Sequence, residues 1–202
     1  MAIDVRRRSR QRWWWCCVLA AAGIAAVGRA SVVERLSLQR LVELADRIVV
    51  ARVGAGQARF DGDGRTIVTD TVVQVETTLK GTALSRLTVR TSGGVVGDLG
   101  QLVAGSARLS EGGRALLFLE ERGALPDGTV RCRTIGMAQG VYHLVIAADG
   151  RELAARDLRG MAELDVENGD LTALAPEASE VAADLLVRIR SALAHPAAGS
   201  AP

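Results

Sequence analysis

The amino-acid sequence predicts a mainly β protein: a small closed barrel of about five strands, with a short N-terminal helix, an added hairpin and a C-terminal helix. Three observations carry this expectation. Residues 65–81, RTIVTDTVVQVETTLKG, alternate with period two and are rich in β-branched side chains. Turn signals recur at short intervals, with DGDG at 61–64, EGG at 111–113, PDG at 126–128 and DG at 149–150. Helical apolar spacing is confined to a short stretch after the N-terminus and a longer one before the C-terminus.

Residues 1–30 read as a secretory signal peptide. Arg6, Arg7, Arg8, Arg10 and Arg12 form a basic start, and 13–27, WWWCCVLAAAGIAAV, is an apolar stretch too short for a comfortable membrane span. Gly28 and Ala30 place small residues at the −3 and −1 positions, so cleavage is expected between Ala30 and Ser31. The alternative is an anchor formed by an uncleaved N-terminal helix. Trp15 before Cys16 argues against a lipoprotein signal, and RRRSRQR lacks the apolar residues that follow a twin-arginine pair. The expected location is the periplasm or the medium, with no stable membrane insertion after cleavage.

Removing the leader changes the charge. Six of the 25 basic residues and one of the 23 acidic ones lie in residues 1–30, which leaves 19 against 22, a net of −3. Such a domain has no general electrostatic pull toward nucleic acid. Every basic side chain except Lys80 is arginine, which reads as compositional bias. Trp13, Trp14 and Trp15 belong to the leader, so the remainder keeps only Phe60, Phe118 and Tyr142, and its core must be built from Val, Leu, Ile and Ala. Cys16 and Cys17 also lie in the leader. Cys132 then has no intramolecular partner.

The expected barrel domain, with its preceding helix and added hairpin, covers 31–155. Residues 37–47, SLQRLVELADR, predict a helix with Ser37 as N-cap and Leu38, Leu41, Val42 and Ala45 on one stripe. The first strand, 48–60, starts apolar on both faces and carries Gly54 and Gly56, which suggest a bulge. DGDG at 61–64 then turns the chain into the long second strand. It is not a calcium loop, because Arg65, Thr66 and Val72 stand where an oxygen ligand, a glycine and a carboxylate are needed. A third strand follows at 86–91.

Residues 92–105, SGGVVGDLGQLVAG, hold five glycines. No lysine follows them and no helical pattern succeeds them, so neither a Walker loop nor a dinucleotide fingerprint fits. Two readings stay open: an irregular barrel loop, or a mobile binding loop on a rigid scaffold. For the second, Gly93, Gly94, Gly97, Asp98, Gly100 and Gln101 are the partner-binding candidates.

Residues 114–121 predict a strongly apolar strand. In the next strand, 129–136, Val130, Cys132 and Thr134 share one face and Arg131 and Arg133 the other, so Cys132 reads as buried and structural. Residues 141–147 and 151–155 form the added hairpin around Asp149 and Gly150. His143 lies in it, and His195 lies far away. Two distant histidines and one cysteine make no zinc site, and Ser106 is not in a nucleophile elbow. Within 156–194, residues 156–176 read as an acidic, irregular connection, with Asp157, Glu163, Asp165, Glu167 and Asp170. Pro176 is expected to open a helix whose main body is 179–194; Val181, Leu185, Leu186, Ile189 and Leu193 form its stripe. That stripe docks on the domain or serves a partner. Residues 195–202 read as a disordered tail.

Four segments together resemble a known module: ADRIVVARV (45–53), VVQVETTLKG (72–81), LTVRT (87–91) and EGGRALLFL (111–119). They are similar to the netrin-like module, the OB-fold barrel of the tissue inhibitors of metalloproteinases, and more so to exported bacterial proteins of unknown function with the same arrangement. The resemblance spans about 45–145 and implies an OB-fold-like barrel. The inhibitors chelate protease zinc through an N-terminal cysteine. Here Ser31 is the expected mature start, so that mechanism does not carry over. Single-stranded nucleic acid would need a basic groove and stacking aromatics.

The leading functional expectation is an exported, non-enzymatic module that binds an unidentified protein partner, with no nucleic acid, cofactor or metal. One alternative is an extracellular protease inhibitor acting through a loop. Another is an enzyme using dispersed carboxylates such as Asp70, Glu76 and Asp98, which no spacing in the sequence pairs.

Overall fold

The computed structural model describes residues 31–164, 171–175 and 177–195. The proposed leader, Asp165, Glu167, Asp170, Pro176 and the tail beyond His195 lie outside the described residues.

The period-two stretch is one arm of a long antiparallel hairpin. Strand β2 (Arg47–Phe60) pairs with β3 (Ile67–Lys80), from Ile48 opposite Lys80 to Phe60 opposite Ile67. The register shifts between Val53 and Gly56, at the expected bulge. A Cβ on Gly54 would lie 2.8 Å from the Val72 carbonyl oxygen, so only glycine lets the two backbones approach there. The DGDG turn closes on itself: the Asp63 carboxylate accepts from the amides of Arg65 and Thr66 and from the Thr66 hydroxyl. Those bonds, the Thr66 hydroxyl first, hold the Asp63 carboxyl at about 2.

Strand β4 (Arg86–Ser92) pairs antiparallel with β3, and β7 (Arg114–Ala124) with the other edge of β2. Strand β8 (Val130–Thr134) closes the circle, antiparallel to β7 and parallel to β4. The result is a closed five-strand mixed barrel, in the order β7-β2-β3-β4-β8 and back to β7, consistent with OB-fold-like modules. Its interior holds Val49, Ala51, Val53, Val73, Leu87, Val89, Ala115, Leu117, Leu119 and Cys132, the small aliphatic core expected from so few aromatics. Cys132 is fully buried, and burial pushes its thiol up to about 11. One end of the interior is plugged by Arg47, which pairs with Glu121 and donates to the Thr82 carbonyl.

A second layer covers one outer wall. The added hairpin, β9 (Val141–Ile146) and β10 (Glu152–Ala155), extends the sheet beside β7. Helix α1 (Leu38–Leu44) starts at Ser37, whose hydroxyl accepts from the Arg40 amide. Helix α2 (Ala182–Ala194) lies beside α1. Leu41, Val42, Leu185 and Ile189 pack with Ile48, Val50, Leu116, Phe118 and Tyr142. The stripe of α2 therefore docks on the domain. Full burial of a leucine or isoleucine is worth about 1.5–3 kcal/mol.

Three segments depart from the sequence reading. Residues 92–105 are largely a hairpin and not an irregular loop: β5 (Gly94–Val96) pairs with β6 (Leu99–Gln101). The connection expected to be irregular contains β11 (Met161–Leu164) and β12 (Leu171–Ala173), which form a small sheet with β1 (Ser31–Val33). Leu158, Met161 and Leu174 are buried there, an apolar signal masked by the acidic residues around it. The helix begins at Ala182, later than expected, because β13 (Glu180–Val181) is held in a strand against β10. Among the described residues no helix is long and apolar enough to cross a membrane.

Candidate protein-binding surface

The glycine-rich hairpin has a fixed base and an apolar tip. Gly93 and Gly94 have φ of 93° and 143°, in the range that favours glycine. A Cβ on Gly94 would lie 2.6 Å from Thr69 Oγ1 and 2.8 Å from the Ala58 Cβ, so the glycine lets the hairpin seat on β2 and β3. The Gly93 amide donates to the Ile67 carbonyl (2.8 Å), and the Thr69 hydroxyl donates to the Gly93 carbonyl (2.7 Å). The Gln101 side-chain oxygen accepts from the Ile67 amide (2.5 Å). On the far side, the Ser106 hydroxyl donates to the Ser92 carbonyl (2.7 Å).

The six candidate residues therefore divide. Gly93, Gly94 and Gln101 belong to the framework. Gly97, Asp98 and Gly100 sit exposed at the tip, where Gly97 takes φ of 59° with nothing near its missing side chain. Sequence reasoning passed over the apolar side chains beside them. Val95 is 68% exposed, Leu99 62% and Leu102 85%, although the chain has ample interior for aliphatic residues. The available signal was the pattern VVGDLGQL, in which aliphatics stand on both arms of a turn too short to bury them.

The dispersed carboxylates do not converge. Asp70 sits on the outer face of β3, bracketed by Arg90 (2.7 Å) and Arg59 (3.0 Å). Burial opposes its ionisation, but hydrogen bonds from Arg90 and Arg59 outweigh it and hold the carboxyl below its ordinary value. Glu76, six residues further along the same strand, pairs with Arg114 (2.7 Å) and Arg52 (3.5 Å). Asp98 is at the hairpin tip. A carboxylate locked between two guanidiniums is a poor proton carrier near neutrality.

His143 lines a pocket of about 320 Å3 with Ser106, Asp157 and Arg159. Burial lowers its pKa, with Asp157 opposing. Ser106 turns its hydroxyl to Ser92, while Asp157 is held by Arg159 (2.6 Å) and kept at about 2, chiefly by that bond. These side chains are close without forming a nucleophile–base relay. Among the described residues no three or more His, Cys, Asp or Glu side chains group to hold a metal ion.

A scan against protein-family models finds no match, and a search of curated proteins finds no similar sequence.

Proposed function

We propose that this is an exported, netrin-like protein-binding module, non-enzymatic, acting in the cell envelope or outside it. The observation that carries the reading is the hairpin of β5 and β6: a rigidly seated base presenting Val95, Leu99 and Leu102 to solvent. The register sets Val95 on one face of the protrusion and Leu99 on the other, so it offers aliphatic area on both faces to a protein surface that takes the hairpin into a cleft. Export rests on the leader pattern. It is compatible with the fold, because the Ser31 nitrogen donates to the Gly160 carbonyl (3.0 Å), a bond that an amine left by cleavage after Ala30 would keep.

The test is capture of partners from the envelope fraction of the native host by full-length mature protein. The triple variant Val95→Ser, Leu99→Ser, Leu102→Ser is expected to lose the captured protein while melting normally. Undiminished capture by that variant would remove the hairpin from the binding surface. A second reading, inhibition of an extracellular protease, is favoured by the same rigid protruding tip. It requires that at least one secreted protease in a panel be inhibited by the native protein and spared by the triple variant.

A further inference from the structure

A cleft of about 800 Å3 opens on the barrel wall where β4 and β8 part, and it runs up to the base of the β5–β6 hairpin at Ser92 and Ser106. Four arginines line it, Arg90, Arg122, Arg131 and Arg133, against two acids, Asp61 and Glu120. This surplus of two positive charges stands on a chain whose residues beyond 30 carry a net charge of −3.

The charges are unevenly matched. Arg90 is satisfied by Asp70 and Asp61. Glu120 alone serves both Arg122 (2.7 Å) and Arg133 (2.7 Å). Arg131 donates to the Arg122 carbonyl (3.1 Å), and among the described contacts it meets no carboxylate. Guanidinium groups with open donors are matched to carboxylates, which they hold through two parallel bonds.

Spacing and wall chemistry narrow the ligand. Arg131 and Arg133 flank the buried Cys132, so both project outward from one strand, about 7 Å apart along it. An extended peptide repeats its side chains on one face at the same interval. Leu36, Ile135 and Met137 supply apolar contact beside the arginines. Among the described residues no Phe, Tyr or Trp lines the cleft to form a platform on which bases would stack.

We infer that this cleft binds an extended acidic segment of a protein partner, with carboxylates at alternate positions engaging Arg131 and Arg133. The inference rests on the protein-binding reading and supplies its recognition chemistry.

The test uses full-length mature protein and fluorescence anisotropy at low ionic strength. The probes are labelled octaglutamate and a labelled thymidine oligonucleotide of equal charge. Octaglutamate is expected to bind, to be displaced by salt, and to bind about tenfold more weakly or worse to Arg131→Glu and Arg133→Glu. Arg151→Glu, the same charge change beside the β9–β10 turn, leaves binding unchanged. Glu120→Gln releases Arg122 and Arg133 and tightens binding several-fold, about two- to fivefold for an exposed pair; a gain of this kind cannot come from misfolding. Absence of octaglutamate binding, equal weakening by Arg151→Glu, or tighter binding of the oligonucleotide overturns the inference. If octaglutamate fails while the hairpin variant still loses its captured partner, the cleft is excluded and the protein-binding reading stands. If octaglutamate binds but the hairpin variant captures normally, the cleft stands and only the hairpin is removed from the binding surface.

Discussion

Replacing Leu185 with alanine separates a docked C-terminal helix from one held in reserve for a partner. Leu185 is fully buried at the centre of the cluster that joins α1 and α2 to the outer face of β2, β7 and β9. Truncation leaves a cavity bounded by residues on rigid strands, which cannot collapse to fill it. The expected cost is about 3 kcal/mol. Against a total stability of about 5–15 kcal/mol, that is a large fraction. For a domain of this size it lowers the melting temperature by about 6–12 °C. Urea unfolding followed by circular dichroism gives the number, and the dependence on urea should stay constant if the same surface is exposed. Leu185→Met, which conserves volume, should cost less than about 1.5 kcal/mol. A loss below about 1 kcal/mol for the alanine variant would mean that the stripe is not packed in solution, and α2 would return as a partner-binding helix.

Further outcomes are expected at other sites. Cys132 should resist thiol reagents at pH 8 in the folded protein and react fully in denaturant, since burial raises its thiol to about 11; rapid native labelling would contradict an interior position. Asp70→Asn should destabilise by about 1–3 kcal/mol at pH 7, measured by urea unfolding, because Arg90 and Arg59 lose their shared carboxylate. Acid should destabilise the fold in a defined window. Asp70 and Glu177 have folded values below their ordinary 3.8 and 4.5, so their contribution is complete above those values and is lost as pH falls through the lowered ones. Asp70→Asn combined with Glu177→Gln should therefore flatten the stability profile below about pH 4.5, and an unchanged slope would sink the assignment. Gly94→Ala should strain the hairpin base, by about 1–3 kcal/mol from its φ alone, and accelerate amide exchange in residues 94–101 before it affects the barrel.

The barrel was legible where local chemistry and long-range partner agree. Alternation in residues 67–80, a DGDG turn and a glycine-marked bulge specify the β2–β3 hairpin without knowledge of the rest of the fold. Ser37 and the opposite faces of Cys132 and its flanking arginines were legible for the same reason. The small sheet of β1, β11 and β12 was not. Its strands are three or four residues long, and its parallel pair joins Ser31 to Met161 across the chain, so no local pattern exceeds the acidic character of the neighbouring sequence. The start of α2 was misplaced for a related reason: Val181 carries helical apolar spacing, yet its pairing with Leu153 holds it extended.

The two surfaces differ in how far they could have been read. Glycine spacing in residues 92–105 marked a special backbone, but the exposed aliphatic side chains beside those glycines, Val95, Leu99 and Leu102, carried no weight in that reading. Glycine supplies geometry and aliphatic side chains supply binding area, so a glycine-rich protrusion is better searched through the residues its glycines expose. The arginines of the cleft had no local signature at all. In a chain that uses arginine almost everywhere, Arg131 and Arg133 look like ordinary outward positions of a strand. Only barrel closure sets β8 parallel to β4, places Arg133 opposite Arg90, and leaves two guanidiniums, Arg122 and Arg133, sharing Glu120 beside an Arg131 that meets no carboxylate among the described contacts. Composition averages charge over the chain, whereas recognition depends on the imbalance left after local pairs are matched. That imbalance is a property of the closed sheet, which is why a net-acidic domain presents a basic cleft.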